Sequence, residues 1–192
     1  MRNPVVMFLI GPLLVFLVVH RFARRDSGRE ERLSVLWTNL ALLALYAVVL
    51  PVIGVKTYIM VHIPVLLIAY SVGVWLFYVQ HQFEGTYWEH HEDWDYVTAA
   101  LKGSSFYKLP KVLQWFTGNI GYHHIHHLSP RIPNYYLEQC HNENPMFQEI
   151  EPVTIRGSLK SLKFRLWDEK ERAMVGYDHL RTVAQQPERS MG

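Results

Sequence analysis

Charged residues divide the chain into stretches of very different character. None occurs from Leu33 to Val55, 23 consecutive positions, and as a helix that run would be about 34 Å long, enough for the ~30 Å hydrocarbon core of a bilayer. Lys, Arg, Asp and Glu are missing again from Thr57 to Phe83, which predicts a second spanning helix of roughly 20 residues between Tyr58 and Val79. Only Gly-Val-Lys separates the two, with Pro51 and Gly54 helping to end the first. So short a link predicts an antiparallel hairpin whose outer ends share one side of the bilayer. An earlier apolar run, Pro4 to Val19, has 16 residues and is broken by Gly11 and Pro12. It is short for a span and reads as a re-entrant or interfacial segment rather than a tilted one.

The expected architecture is mainly α. An interfacial or re-entrant segment and basic loop occupy 1–33, a transmembrane helical hairpin 34–80, a helical cytosolic region 81–184 and a disordered tail 185–192. Arg21, Arg24, Arg25, Arg29 and Arg32 precede the hairpin, whereas Lys56 alone marks its tip. By the positive-inside rule the hairpin leaves and returns to the cytoplasm, and everything after Gln80 is cytoplasmic. Inside the spans, Asn39 and His62 are read as interhelical hydrogen-bonding or headgroup-level positions, with an intramembrane polar site as the alternative.

Composition adds little. Mean hydropathy is −0.01 because an apolar first part is averaged with a polar remainder, and a net charge of +2 implies no polyanionic partner and no nucleic acid. The single cysteine, Cys140, has no disulfide partner in the chain and reads as a small buried residue. Arg2 ahead of an apolar run faintly suggests a signal peptide, but no small-residue cleavage site follows.

The chemistry concentrates in "GYHHIHHLSP", Gly121 to Pro130. His123, His126 and His127 stand at i, i+3 and i+4, so on a helix their imidazoles share one face, the spacing of a metal site. His124 is rotated roughly 100° away and would support a ligand ring from behind or lie at the surface. A plain surface histidine cluster is the alternative. The apolar approach "WFTGNIGY" carries no basic residue that would suggest a polyanion site. Imidazoles suit Zn, Cu, Fe and Ni alike. No Asp or Glu lies between Lys111 and Leu137 to serve as the base of a zinc hydrolase, and a histidine site beside a hydrocarbon-binding region fits iron and oxygen chemistry on a lipid chain.

The segments "YVQHQFEGTYW", "WDYVTAALKGSSFY", "TGNIGYHHIHHLSPRIPNYYL" and "SLKFRLWDE" resemble the C-terminal half of membrane fatty acid desaturases, the bacterial acyl-lipid type grouped with the delta-12 and delta-5 enzymes. The resemblance runs over residues 1 to 184. It implies an integral protein of the bacterial inner membrane with a cytosolic histidine cap and a dinuclear iron centre held by three histidine boxes. The third box falls on His123, His126 and His127, and the ligand after the last membrane helix on His81. It also implies dioxygen as co-substrate, a membrane lipid acyl chain as substrate and a ferredoxin-like electron donor. The family's two earlier histidine boxes have no counterpart before His81, so the chain is expected to be a truncated product or a fragment starting at an internal Met, in need of an N-terminal half. A related hydroxylase or carotenoid ketolase, or a non-catalytic membrane fragment, are the rival readings.

Other residues carry weaker expectations. His90 and His91 in "EHHEDWDY" read as part of a solvated segment rather than as ligands. Asp95 either orients a ligand imidazole or caps a helix, and Asn119 either reaches the metal through a water or ends a turn. Tyr87, Trp88, Phe106, Tyr107, Trp115, Phe116 and Tyr122 could line an acyl channel but are read mostly as core or membrane-interface residues. Leu159 to Tyr177 alternates apolar and charged positions as helix or strands.

Overall fold

The computed structural model describes residues 3–180; the tail expected at 185–192 lies outside them. The chain divides into two compact units, Met1–Leu76 and Phe77–Gly192, with the boundary inside one long helix.

In the first unit, α1 (Gly11–Leu17) follows a wider π-helical turn, Val6–Ile10. Proline explains the widening. Pro12 has no N–H to give and its ring crowds the carbonyl one turn back, and the chain responds with the longer Gly11 N–H to Val6 bond. The segment is helical through Arg21, 16 residues counted from Val6. Its aromatic side chains lie against the second long helix, Phe8 with its ring centroid 5.2 Å from Trp75 and Phe16 4.6 Å from Tyr70.

Helices α2 (Arg29–Ile53) and α3 (Val55–His81) are long and apolar enough to cross a membrane. Gly54 alone separates them, at φ +80°, a left-handed conformation that suits glycine. The link is thus shorter than the Gly-Val-Lys expected. Gly54 rather than Pro51 ends α2, because continuous apolar surface sustains the helix past the hydrogen bond that Pro51 cannot donate. Tyr46 and Tyr58 meet edge to face at 5.6 Å, and Tyr58 stacks on His62 at 4.6 Å. Asn39 Nδ2 donates to the Arg21 carbonyl at 2.8 Å, between α2 and the helical turn that ends the first segment.

Among its described residues, the second unit holds six short α-helices after the end of α3 and four strands of three residues each. Helix α4 (Tyr96–Lys102) leads to β1 (Phe106–Lys108), then α5 (Lys111–Phe116), α6 (His123–Leu128), α7 (Leu137–Glu143) and α8 (Pro145–Gln148). β2 (Pro152–Thr154) returns parallel to β1, with Tyr107 opposite Val153. After α9 (Ile155–Ser158), β3 (Leu166–Asp168) and β4 (Ala173–Val175) pair antiparallel. The region expected to be helical also contains short strands, and the 159–177 stretch, expected as helix or strands, is a 3₁₀ turn followed by a hairpin. Phe106, Tyr122, Ile125, Leu137 and Phe147 form the core. Tyr122 borders the histidine box and Ile125 lies inside it, so the box is built on packed ground.

Candidate metal centre

His81 is the last residue of α3, and His123 opens α6. What brings them together is hydrogen bonding by the residues just before each. Gln80, buried, donates through Nε2 to the Ile120 carbonyl at 2.8 Å and accepts from the Ser105 N–H at 3.0 Å. Tyr107 N–H donates to the Gly121 carbonyl at 2.7 Å, and Phe106 bridges to Tyr122, so β1 holds the entry to the box. Gly121 is required by close approach: a Cβ there would lie 2.7 Å from the Gln114 amide. At the far end, Tyr96 donates its hydroxyl to the carbonyls of His127 and Leu128 at 2.8 and 3.0 Å, tying α6 to α4. Sequence reasoning singled out neither Gln80 nor Tyr96 for these roles. Its place directly before His81 could have flagged Gln80; no pattern in the sequence marks Tyr96.

Three imidazoles converge. His123 Nε2 lies 3.1 Å from His81 Nε2 and 3.0 Å from His127 Nε2, and ligand atoms of the three rings fall within 4.8 Å of one another. A neutral ring nitrogen offers one N–H or one lone pair, so His123 Nε2 can make one linear hydrogen bond and not two. A cation between the rings would use all three lone pairs at once. Imidazole–metal bonds of about 2.0–2.1 Å place two nitrogens at right angles about 3.0 Å apart, the separation of these rings.

Electrostatics keep the donors available. Burial, followed by the neighbouring His127, His81, His126 and His124, pushes the His123 pKa down to about 3. Burial and the nearby His81 and His126 lower that of His127. Both are neutral at physiological pH, the state that binds a metal.

The remaining candidates are placed as follows. His126 stacks on His123, ring centroids 5.6 Å apart, and stands outside the three-ring group. His124 is 0% exposed, among Phe106, His141 and Phe147 at 5.5–5.6 Å, and the Ser105 main chain approaches its ring without reaching hydrogen-bond geometry. It is a core residue and not a surface one, because α6 turns its second position into the aromatic cluster. Asp95 accepts from the Thr98 N–H at 2.7 Å and caps α4. Asn119, at φ +57°, ends the turn after α5, and its amide donates to the Asn134 carbonyl at 3.0 Å. His90 lies 3.6 Å from Glu169, and neither it nor His91 joins the three-ring group.

Residues 1–155 match the family described as fatty acid desaturase. A protein of Bacillus subtilis (strain 168) named fatty acid desaturase is 50% identical over 182 residues, covering 95% of this chain and 52% of that protein. The chain therefore spans about half the length of this curated relative. With a family match over most of its length and half of the aligned positions identical to a desaturase, the chain belongs to the fatty acid desaturase family.

Proposed function

We propose that this chain contributes the third histidine box and the final membrane hairpin of an acyl-lipid desaturase. The observation that carries the reading is the meeting of His81, His123 and His127 through their Nε2 atoms. These three would hold one iron of a dinuclear centre. His126, on the same helix and one ring-stack away, would serve the second. The other ligands would come from a region corresponding to the half of the relative that this chain does not cover.

Bound iron would activate O₂, the oxidant of the overall change, in which a –CH₂–CH₂– unit, O₂, two electrons and two protons give –CH=CH– and two waters. The electrons would come from a ferredoxin-like donor, and the substrate would be the acyl chain of a membrane lipid. The chain's own residues hold and position. Gln80 and the β1 strand fix the distance between α3 and α6, Tyr96 steadies the carbonyl end of α6, and the aromatic core beneath His124 shields one side from water. The hairpin of α2 and α3 would cross the bilayer with the histidines on the cytoplasmic side.

The test has two arms. Iron per chain is measured on protein purified in detergent, for the wild type and for His123→Ala. In parallel, the chain is expressed in a desaturase-deficient Bacillus subtilis, alone and with the uncovered half of the relative, and membrane acyl chains are analysed by mass spectrometry. Iron lost in the variant together with products lighter by two hydrogens supports the proposal. Products heavier by one oxygen would replace it with a hydroxylase, and iron absent from both proteins would remove the site.

A further inference from the structure

Among the aromatics that the sequence leaves between core and interface, the structure makes a division. Phe106, Tyr107 and Tyr122 are buried, whereas Trp115 and Phe116 are 75% and 73% exposed. They lie on α5, where Val112 and Leu113 are exposed as well and only Gln114 turns inward, toward the Tyr107 carbonyl. Four of the helix's six residues thus present a large apolar surface outward, and the Trp115 and Phe116 rings meet edge to face at 5.0 Å. A soluble surface scatters such residues singly; here they are contiguous.

The charge around them is one-sided. Lys108 and Lys111 are exposed at the start of the helix, and Lys102 and Arg131 lie on the flanking segments. From Tyr96 to Leu137 the chain has no Asp or Glu, although five carboxylates occur between Glu84 and Asp95 and more follow from Glu138. Lysines beside tryptophan, phenylalanine and aliphatic residues, with no carboxylate in the surrounding sequence, are the chemistry of a segment seated among anionic lipid headgroups. A second copy of the chain or another protein would not call for this exclusion of acid over 42 positions.

We propose that α5 is a membrane-surface anchor: Val112, Leu113, Trp115 and Phe116 enter the headgroup–acyl boundary of an anionic bilayer, and Lys108 and Lys111 contact the lipid phosphates. The inference does not depend on the metal centre. It concerns the path by which the unit bearing the histidine box meets lipid.

The full-length chain, with its only cysteine removed as Cys140→Ala, is reconstituted in vesicles of phosphatidylglycerol and phosphatidylcholine. Nitroxide labels are placed at Phe116→Cys, at Val112→Cys as an independent reading, and at the exposed Glu149→Cys as a control. Collision rates with O₂, which concentrates in lipid, and with a water-soluble nickel chelate are compared. At 116 and 112 the O₂ rate should exceed the nickel rate several-fold, with the order reversed at 149. Adding Lys108→Glu and Lys111→Glu, or omitting phosphatidylglycerol, should raise nickel access at 116 at least two-fold. Nickel access equal to that at 149 would overturn the proposal, as would protection from both reagents, which would mean that a polypeptide covers the helix. Insensitivity to lipid charge would equally overturn the role of the lysines.

Discussion

Gln80 and Ile120 are joined by a 2.8 Å hydrogen bond from the Gln80 amide to the Ile120 carbonyl, one residue before His81 and three before His123. This contact spans 40 residues of sequence and, together with the β1 pairings, holds the two imidazoles near each other. Gln80→Ala should leave the Ile120 carbonyl without its partner, at a cost of about 1–3 kcal/mol. Thermal unfolding should shift down, and metal affinity should fall further than stability alone accounts for. Equilibrium metal titration beside a melting curve reads both. A melting shift with unchanged affinity would mean that the pairing braces the fold without positioning the ligands.

The three-ring group makes a sharper forecast. His81→Ala, His123→Ala and His127→Ala each remove a convergent donor, whereas His126→Ala removes a ring stacked outside the group. In this chain by itself, metal binding should fall at least tenfold for the first three and far less for the fourth. Cobalt(II) absorption in detergent is a direct readout, since histidine ligation changes its visible spectrum. Equal losses in all four would show that the fourth ring swings in when metal is present.

Acid should weaken the metal-free fold through buried histidines. Burial, then the proximity of His141, lowers the His124 pKa to about 4, and burial lowers that of His141 as well. Unfolded, each titrates near pH 6.5. Between about 6.5 and 4 the unfolded chain therefore binds more protons than the folded one, so stability drops as pH falls through that window and is flat above it. His124→Phe should make the slope shallower while keeping the aromatic packing, the remainder coming from His141, His123 and His127, whose pKa values burial also lowers. Urea midpoints at pH 7.5 and 5.0, with chelator present, test it. An identical pH slope in wild type and variant would assign the acid sensitivity elsewhere.

Much of this was readable in the residues and some was not, for physical reasons. A helix facing lipid needs an unbroken apolar run, so α2 and α3 announce themselves, and i, i+4 spacing is enough to bring His123 and His127 together. Spacing does not fix rotamers, which is why His126 could not be separated from its neighbours beforehand. Nor does it show that His124 enters a core assembled from Phe106, His141 and Phe147, residues 17 and more positions away. The β1–β2 pair, three residues on each side and parallel, is too short for an alternation pattern and is stabilised by tertiary context. The long helices met the opposite limit. Continuous hydrophobicity overrode Pro51, and the turn contracted to Gly54.

Asp95 separates two roles that its sequence context could not. Its carboxylate is held below the usual range chiefly by the Thr98 hydrogen bonds that cap α4. Asp95→Ala should thus lower the melting temperature through loss of the cap, and Asp95→Asn or Asp95→Ser should recover most of it, because either side chain can still accept from the N–H of Thr98. Metal stoichiometry should be unchanged in all three variants. The link to the metal centre runs instead through Tyr96, the first residue of the capped helix, which bonds the carbonyls of His127 and Leu128. Tyr96→Phe should accordingly lower metal affinity with little change in melting temperature, the opposite signature to Asp95→Ala. If Asp95→Ala emptied the site while Tyr96→Phe left it full, the carboxylate would be acting on an imidazole rather than on the helix.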